Sequence, residues 1–144
     1  MDILIKTKVN QDYKIVFNLF DKDLFLKLSP PFPKVNLLRF DGCKKNDIVE
    51  LELDLIFSKQ LWTSEIIDFC EEDDLIYFID KGIKLPFFLK TWVHKHNIVK
   101  NAENTIIIDD IYFDTGNIIT NIIMYPILYL QFLYRNPVYK KYFK

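Results

Sequence analysis

The sequence predicts an α+β fold, an antiparallel sheet of about seven strands with its helices kept apart from it in the chain. Three observations carry this expectation. Apolar and polar residues alternate with period two at the start of the chain and through its long middle. Helical three- and four-residue spacing is confined to a short segment after the first strand and to the closing segment. Nothing Pro/Ser-rich and no internal repeat divides the 144 residues, so one domain spanning 1–144 is expected.

From Asp2 to Val9 the alternation places Ile3, Ile5, Thr7 and Val9 on one face of a strand. Asn10 and Asp12 then offer helix caps. Tyr13 to Leu28 carries Val16, Phe17, Phe20, Leu24 and Leu28 at helical spacing, with Asp21 and Asp23 marking a break between two short helices. Ser29-Pro30-Pro31-Phe32-Pro33 ends the helical run, because proline lacks a backbone donor and forces extended geometry on its neighbour.

Lys34 to Phe113 reads as about six strands. In the clearest, Ile48 to Phe57, residues Val49, Leu51, Leu53, Leu55 and Phe57 alternate with Glu50, Glu52 and Asp54, the pattern of a sheet dry on one face and wet on the other. Turns are expected at Asp41-Gly42, near Ser58-Lys59-Gln60, at Glu71 to Asp74, around Gly82 and at Asn101 to Asn104. Asn117 to Lys144 returns to one long helix capped by Asn117, with Ile119, Ile122, Ile123, Ile127, Leu130 and Leu133 as its inward stripe and a bend at Pro126. A sheet curled around that helix would leave a cavity between them.

Composition removes several function classes. Half of the residues are apolar, which excludes disorder. Three glycines cannot build a phosphate-cradling loop. A net charge of −1 with only Arg39 and Arg135 as arginines leaves nothing to neutralise a run of phosphates, so no nucleic-acid partner is expected. The two cysteines, Cys43 and Cys70, are too few for a disulfide framework. Met1-Asp2-Ile3-Leu4-Ile5-Lys6 lacks the basic and unbroken apolar regions of a signal peptide, and a cytoplasmic location is expected.

Several residues together resemble the START-like helix-grip superfamily (SRPBCC), the group of polyketide cyclases and dehydratases, lipid-transfer domains and pollen-allergen relatives, and most of all its uncharacterised bacterial branch. They are Leu28-Ser29-Pro30-Pro31-Phe32, Trp62 with Ile66, Phe78 with Asp80, Pro86-Phe87, Trp92-Val93-His94-Lys95-His96-Asn97-Ile98, Asp109 with Ile111, and Phe132-Leu133-Tyr134-Arg135. The resemblance implies a curved seven-stranded antiparallel sheet gripping the C-terminal helix with a ligand between them. It brings no assigned substrate.

On the strand Thr91 to Val99, parity sets Trp92, His94, His96 and Ile98 on one face, and Lys95 and Asn97 mark the other as the wet one. Inward histidines can contact a cavity ligand or be hydrogen-bonded parts of the structure. His-x-His on a strand can also begin a metal site, but there is no third histidine and Glu103 lies past the strand, so no metal and no cofactor is assigned. Asp80, Asp109 and Asp110 stand inside apolar strands. Either one of them orients an inward histidine, or they face water or pair with Arg39 or a lysine, the more ordinary arrangement. Glu71-Glu72-Asp73-Asp74 reads as a solvated turn. No serine, threonine or cysteine has a partner at catalytic spacing, so no catalytic residue is named and enzyme status stays open.

The uncharged stretch Thr115 to Tyr134 has the length of a membrane span, but Thr120, Asn121, Pro126 and Gln131, and the need of the sheet for a cover, argue for a soluble helix. Being apolar nearly all round, it would present Met124, Leu128 and Phe132 outward to a second subunit, a membrane surface or a lipid tail. The expected function is binding or transport of an apolar or amphipathic small molecule. The expected lining is Leu51, Leu53, Leu55, Trp62, Trp92, Ile123, Ile127 and Leu130, with His94 and His96 as polar contacts. A cyclase, aromatase or dehydratase acting on a hydrophobic substrate is the alternative, and a regulatory or membrane-surface module the second.

Overall fold

The computed structural model describes residues 1–144. Strand β1 (Asp2–Val9) leads to helices α1 (Tyr13–Asn18) and α2 (Lys22–Leu28). Five strands and a sixth follow: β2 (Lys34–Phe40), β3 (Ile48–Asp54), β4 (Lys59–Glu72), β5 (Leu75–Lys84), β6 (Thr91–Asn101) and β7 (Asn104–Asp114). Helices α3 (Ile118–Leu133) and α4 (Arg135–Tyr142) close the chain. The strands form one antiparallel sheet in the order β1-β7-β6-β5-β4-β3-β2, so the first strand pairs with the last. This is the antiparallel α+β arrangement expected from the alternation, with the curl that the resemblance implies.

The local chemistry of each element is plain. In β1 the expected residues Ile3, Ile5, Thr7 and Val9 are buried and their neighbours exposed. Asp12 caps α1 by accepting from the Lys14 amide, and Asp21 caps α2 by accepting from Leu24, which separates the two helices. At the start of α3 the Asn117 side chain accepts from the amides of Ile119 and Thr120. Gly116, at φ 86°, makes the reversal from β7 into that cap, a backbone region that penalises a Cβ.

Three boundaries differ from the sequence expectation. β3 ends at Asp54, so Leu55 to Ser58 form the hairpin and Phe57, expected inside, is 99% exposed. Gly82 lies within β5, and the turn falls instead at Leu85 to Lys90. The closing helix runs through Pro126 as α3 and is interrupted at Tyr134. Pro137 has no N–H to donate to the Leu133 carbonyl, which explains an interruption there.

Two apolar clusters hold the sheet to its helices. One joins Val9, Ile66, Ile76, Phe78, Ile98 and Ile107 to Val16 of α1, Leu24 and Leu28 of α2 and Tyr139 and Phe143 at the C-terminus. The other joins Ile3, Ile5, Trp92, Ile111 and Phe113 to Leu128 and Phe132 of α3. Each such side chain contributes about 1.5–3 kcal/mol when fully buried. β3 is different: of its apolar residues only Leu53 is buried, because its inner face looks into open space rather than onto a packed layer.

Candidate functional site

That space is a cavity of about 490 Å³ between the inner face of the sheet, α2 and α3. Of its 33 lining residues 22 are hydrophobic, the composition of a pocket for a largely apolar ligand. Leu51 and Leu53 of β3, Leu55 of the hairpin, Trp62 of β4 and Trp92 of β6 all line it. The two indoles meet edge to face at 4.8 Å. Phe32 and Phe87 line the cavity yet stay 57% and 76% exposed, so they stand at its mouth.

The helix contributes a different face from the one expected. Ile127 reaches the cavity, but Ile123 and Leu130 do not line it and are 58% and 63% exposed. Met124, Leu128 and Phe132, expected to face outward, are the lining residues, together with Gln131 and Arg135. The rotation is set at the helix start. Asn121 is buried, accepts from the amide and the hydroxyl of Thr115 (both 2.7 Å) and donates to Asp114 (3.0 Å), which ties one side of α3 to the end of β7. Residues three, seven and eleven positions later then face the sheet.

His94 and His96 line the cavity and are buried. Asp80 of β5 stands opposite His94 in the strand register, and Asp109 of β7 stands opposite His96. The His94 Nε2 lies 2.8 Å from Asp109 Oδ1, and His96 Nε2 lies 2.6 Å from Asp80 Oδ2. His94 Nδ1 faces the same Asp80 oxygen at 3.6 Å, and Trp92 Nε1 donates to Asp80 Oδ1 at 3.2 Å. Arg135 lies 3.6 Å from Asp109 Oδ1 and packs over the Phe132 ring. Asp80 and Asp109 thus do not face water or pair with Arg39 or a lysine. Only Asp110 is exposed.

The electrostatics follow from burial. Burial, and then the neighbouring His96, push His94 down to about 4, against the raising effect of Asp109 and Asp80, so its imidazole is neutral. With Asp109 ionised, the His94 proton sits on Nε2 and Nδ1 presents a lone pair. Burial alone would raise both carboxyls. The His96 hydrogen bond, helped by the polar contact of His94 and the charge of Arg135, outweighs it at Asp80, and the His94 hydrogen bond together with the Arg135 charge does so at Asp109, so both lie below the usual carboxylate range. Within this cluster two buried polar atoms have no protein partner, His96 Nδ1 and Asp109 Oδ2. The site therefore pairs a long apolar wall with a single buried polar cluster that can orient a polar group or hold a proton.

Strand parity was the available signal for Asp80 and Asp109, because Asp80 shares a face with Ile76 and Phe78, and Asp109 with Ile107 and Ile111. Arg135 gave no such signal, since its inward direction depends on where α3 gives way to α4. No helix is long and apolar enough to cross a membrane.

No protein-family model and no curated protein matches the sequence. Solved structures do match in shape. The ginseng major latex-like protein 151 from Panax ginseng is 19% identical, with 92% of this chain and 89% of that one covered at a TM-score of 0.63. The Zhui aromatase/cyclase from Streptomyces sp. R1128 is 16% identical, with 81% and 70% covered at 0.53. The truncated norcoclaurine synthase from Thalictrum flavum is 9% identical, with 94% and 91% covered at 0.63. Together with the seven-stranded antiparallel sheet curled against α3, these likenesses show that the chain has the helix-grip fold that these structures share.

Proposed function

We propose that the protein binds and carries one amphipathic small molecule, lipid-like or polyketide-like, in the cytoplasm. Its apolar body lies along the β3, β4 and α3 wall and its polar end reaches Asp80, His94 and His96. One observation carries this reading: a cavity of about 490 Å³ with 22 hydrophobic residues among the 33 that line it and one cluster of inward charged and imidazole side chains, Asp80, His94, His96 and Arg135. A volume of several hundred Å³ with a few convergent polar groups is the general form of a small-molecule site.

Titration with an environment-sensitive fluorescent fatty acid tests it. Saturable binding of one equivalent with quenching of Trp62 and Trp92 emission is expected, and it should be blocked by Leu53→Trp, which fills the space. Titration without saturation, or saturation unaffected by that substitution, refutes the carrier.

The pairing of His96 with Asp80 at 2.6 Å on the cavity wall favours a second reading, an enzyme of cyclase, aromatase or dehydratase type in which this pair moves a proton. Native mass spectrometry of gently purified protein separates the two, since a carrier retains cargo and an enzyme elutes empty. The mouth offers a place for loading. Ile56 and Phe57 at the hairpin tip are 74% and 99% exposed, next to cavity-lining Leu55, and Phe87, 76% exposed, also lines the cavity. Co-flotation with lipid vesicles, lost in Phe57→Ser with Phe87→Ser, is the expected sign of a membrane contact.

A further inference from the structure

We propose that Asp80, His94 and His96 form a three-ligand site for a divalent transition-metal ion of the zinc type, its remaining coordination position open to the cavity. Asp80 Oδ2, His94 Nδ1 and His96 Nε2 are the donor atoms. The donors that these three residues offer lie within 4.8 Å of one another. Two imidazole nitrogens and one carboxylate oxygen are a recurrent set for zinc and for other divalent ions that keep an open position.

The three donors come from adjacent strands, and the ion would replace the proton that His96 Nε2 and Asp80 Oδ2 share at 2.6 Å, the two atoms moving apart to take it. The His96 ring is packed between His94, at 3.6 Å between centroids, and Phe78, at 4.3 Å. Each of two ligands is also oriented from behind. Asp109 accepts from the far nitrogen of His94 at 2.8 Å, and Trp92 donates to the far oxygen of Asp80 at 3.2 Å. A carboxylate behind a ligating histidine fixes its tautomer and raises its basicity, the usual outer support of a metal site.

One feature is poorly explained by hydrogen bonding alone. His94 Nδ1 points at Asp80 Oδ2 from 3.6 Å, too far for a hydrogen bond, so no shared proton joins the two atoms. A cation between them would bridge the gap.

The test uses the full chain and the metal alone. Chelator-stripped protein is exposed to Zn²⁺ or Co²⁺, passed through a desalting column and assayed for retained metal. One equivalent of Zn²⁺ is expected, and Co²⁺ should give the intense visible bands of a four-coordinate ion with nitrogen and oxygen ligands. The double substitution His94→Gln with His96→Gln should abolish retention, and Asp109→Asn should weaken affinity by about 10-fold or more through the lost outer support. No retained metal in the wild-type protein, or only the weak bands of a six-coordinate surface ion, overturns the proposal without any variant. Full retention in the folded double variant also overturns it by placing the ion elsewhere. Because no organic ligand is present, failure here leaves the carrier reading standing, and failure of fatty-acid binding leaves this one standing.

Discussion

Tyr139→Phe is expected to stabilise the protein. Tyr139 is fully buried in α4, where its ring stacks on Phe20 at 6.0 Å and on Phe143 at 6.3 Å. Its hydroxyl has no hydrogen-bond partner. Burial raises the phenol above its ordinary value, and the negative charge of Asp109 adds to this while Arg135 opposes it. Folding therefore strips water from a hydroxyl and returns nothing for it, at a cost of about 1–3 kcal/mol. Phenylalanine keeps the ring contacts and deletes the stranded group. Taking about 1 kcal/mol as the gain, and an unfolding entropy of roughly 2.1 cal/mol/K per residue over a chain of this length, Tm should rise by about 3 °C. Calorimetry at neutral pH with chelator present measures it. A fall in Tm would mean that the Arg135 guanidinium is a true hydrogen-bond donor to the hydroxyl, and would refute the reasoning.

Other consequences are as direct. In metal-free protein held in chelator, stability should be full above about pH 6.5, the unfolded histidine range, and be lost as pH falls. His94, held near 4, contributes about 3 kcal/mol of this loss between those values, and Asp80 and Asp109, both below the usual carboxylate range, add further loss at lower pH. Urea denaturation at several pH values checks the sign, and stability rising on acidification would contradict it. Burial pushes the Cys43 thiol on the cavity wall up to about 12, so iodoacetamide at pH 8 should label Cys70 first, as peptide mapping would show. Replacing both His94 and His96 by Gln should weaken fatty-acid binding by about 1–3 kcal/mol if they hydrogen-bond the polar end, measured by the same fluorescence titration. Leu128→Lys with Phe132→Lys should prevent folding, because both side chains are buried, whereas Ile119→Lys with Ile123→Lys should leave a folded protein and dissociate any dimer seen by sedimentation.

The sheet was legible because period two leaves one decision per strand. Once Lys95 and Asn97 are assigned to water, Trp92, His94, His96 and Ile98 must face inward, and they do. The same logic turns Asp80 and Asp109 inward with their apolar neighbours. What parity cannot supply is the register between strands, and it is register that sets Asp80 against His94 and Asp109 against His96. The cluster was therefore present in the sequence as four separate residues and became a site only through strand pairing. Hairpin ends were less legible, because Leu55 to Phe57 continue the apolar alternation of β3 although the chain has already turned, with Ile56 at φ 74°.

Helix α3 shows the opposite case. Ile118, Ile119, Ile122, Ile123, Ile127 and Leu130 surround its axis, so an apolar stripe can be drawn on either side and periodicity does not choose between them. A polar residue makes the choice. An unpaired buried amide costs a few kcal/mol, whereas turning an isoleucine outward forfeits about 1.5–3 kcal/mol. Asn121 escapes its cost only when it faces β7, where Thr115 and Asp114 satisfy it. That one anchoring brings Met124, Leu128 and Phe132 over the cavity and leaves Ile118, Ile119, Ile122 and Ile123 outside. In a helix apolar on every side the informative residue is the buried polar one, and here it places the helical wall of the cavity.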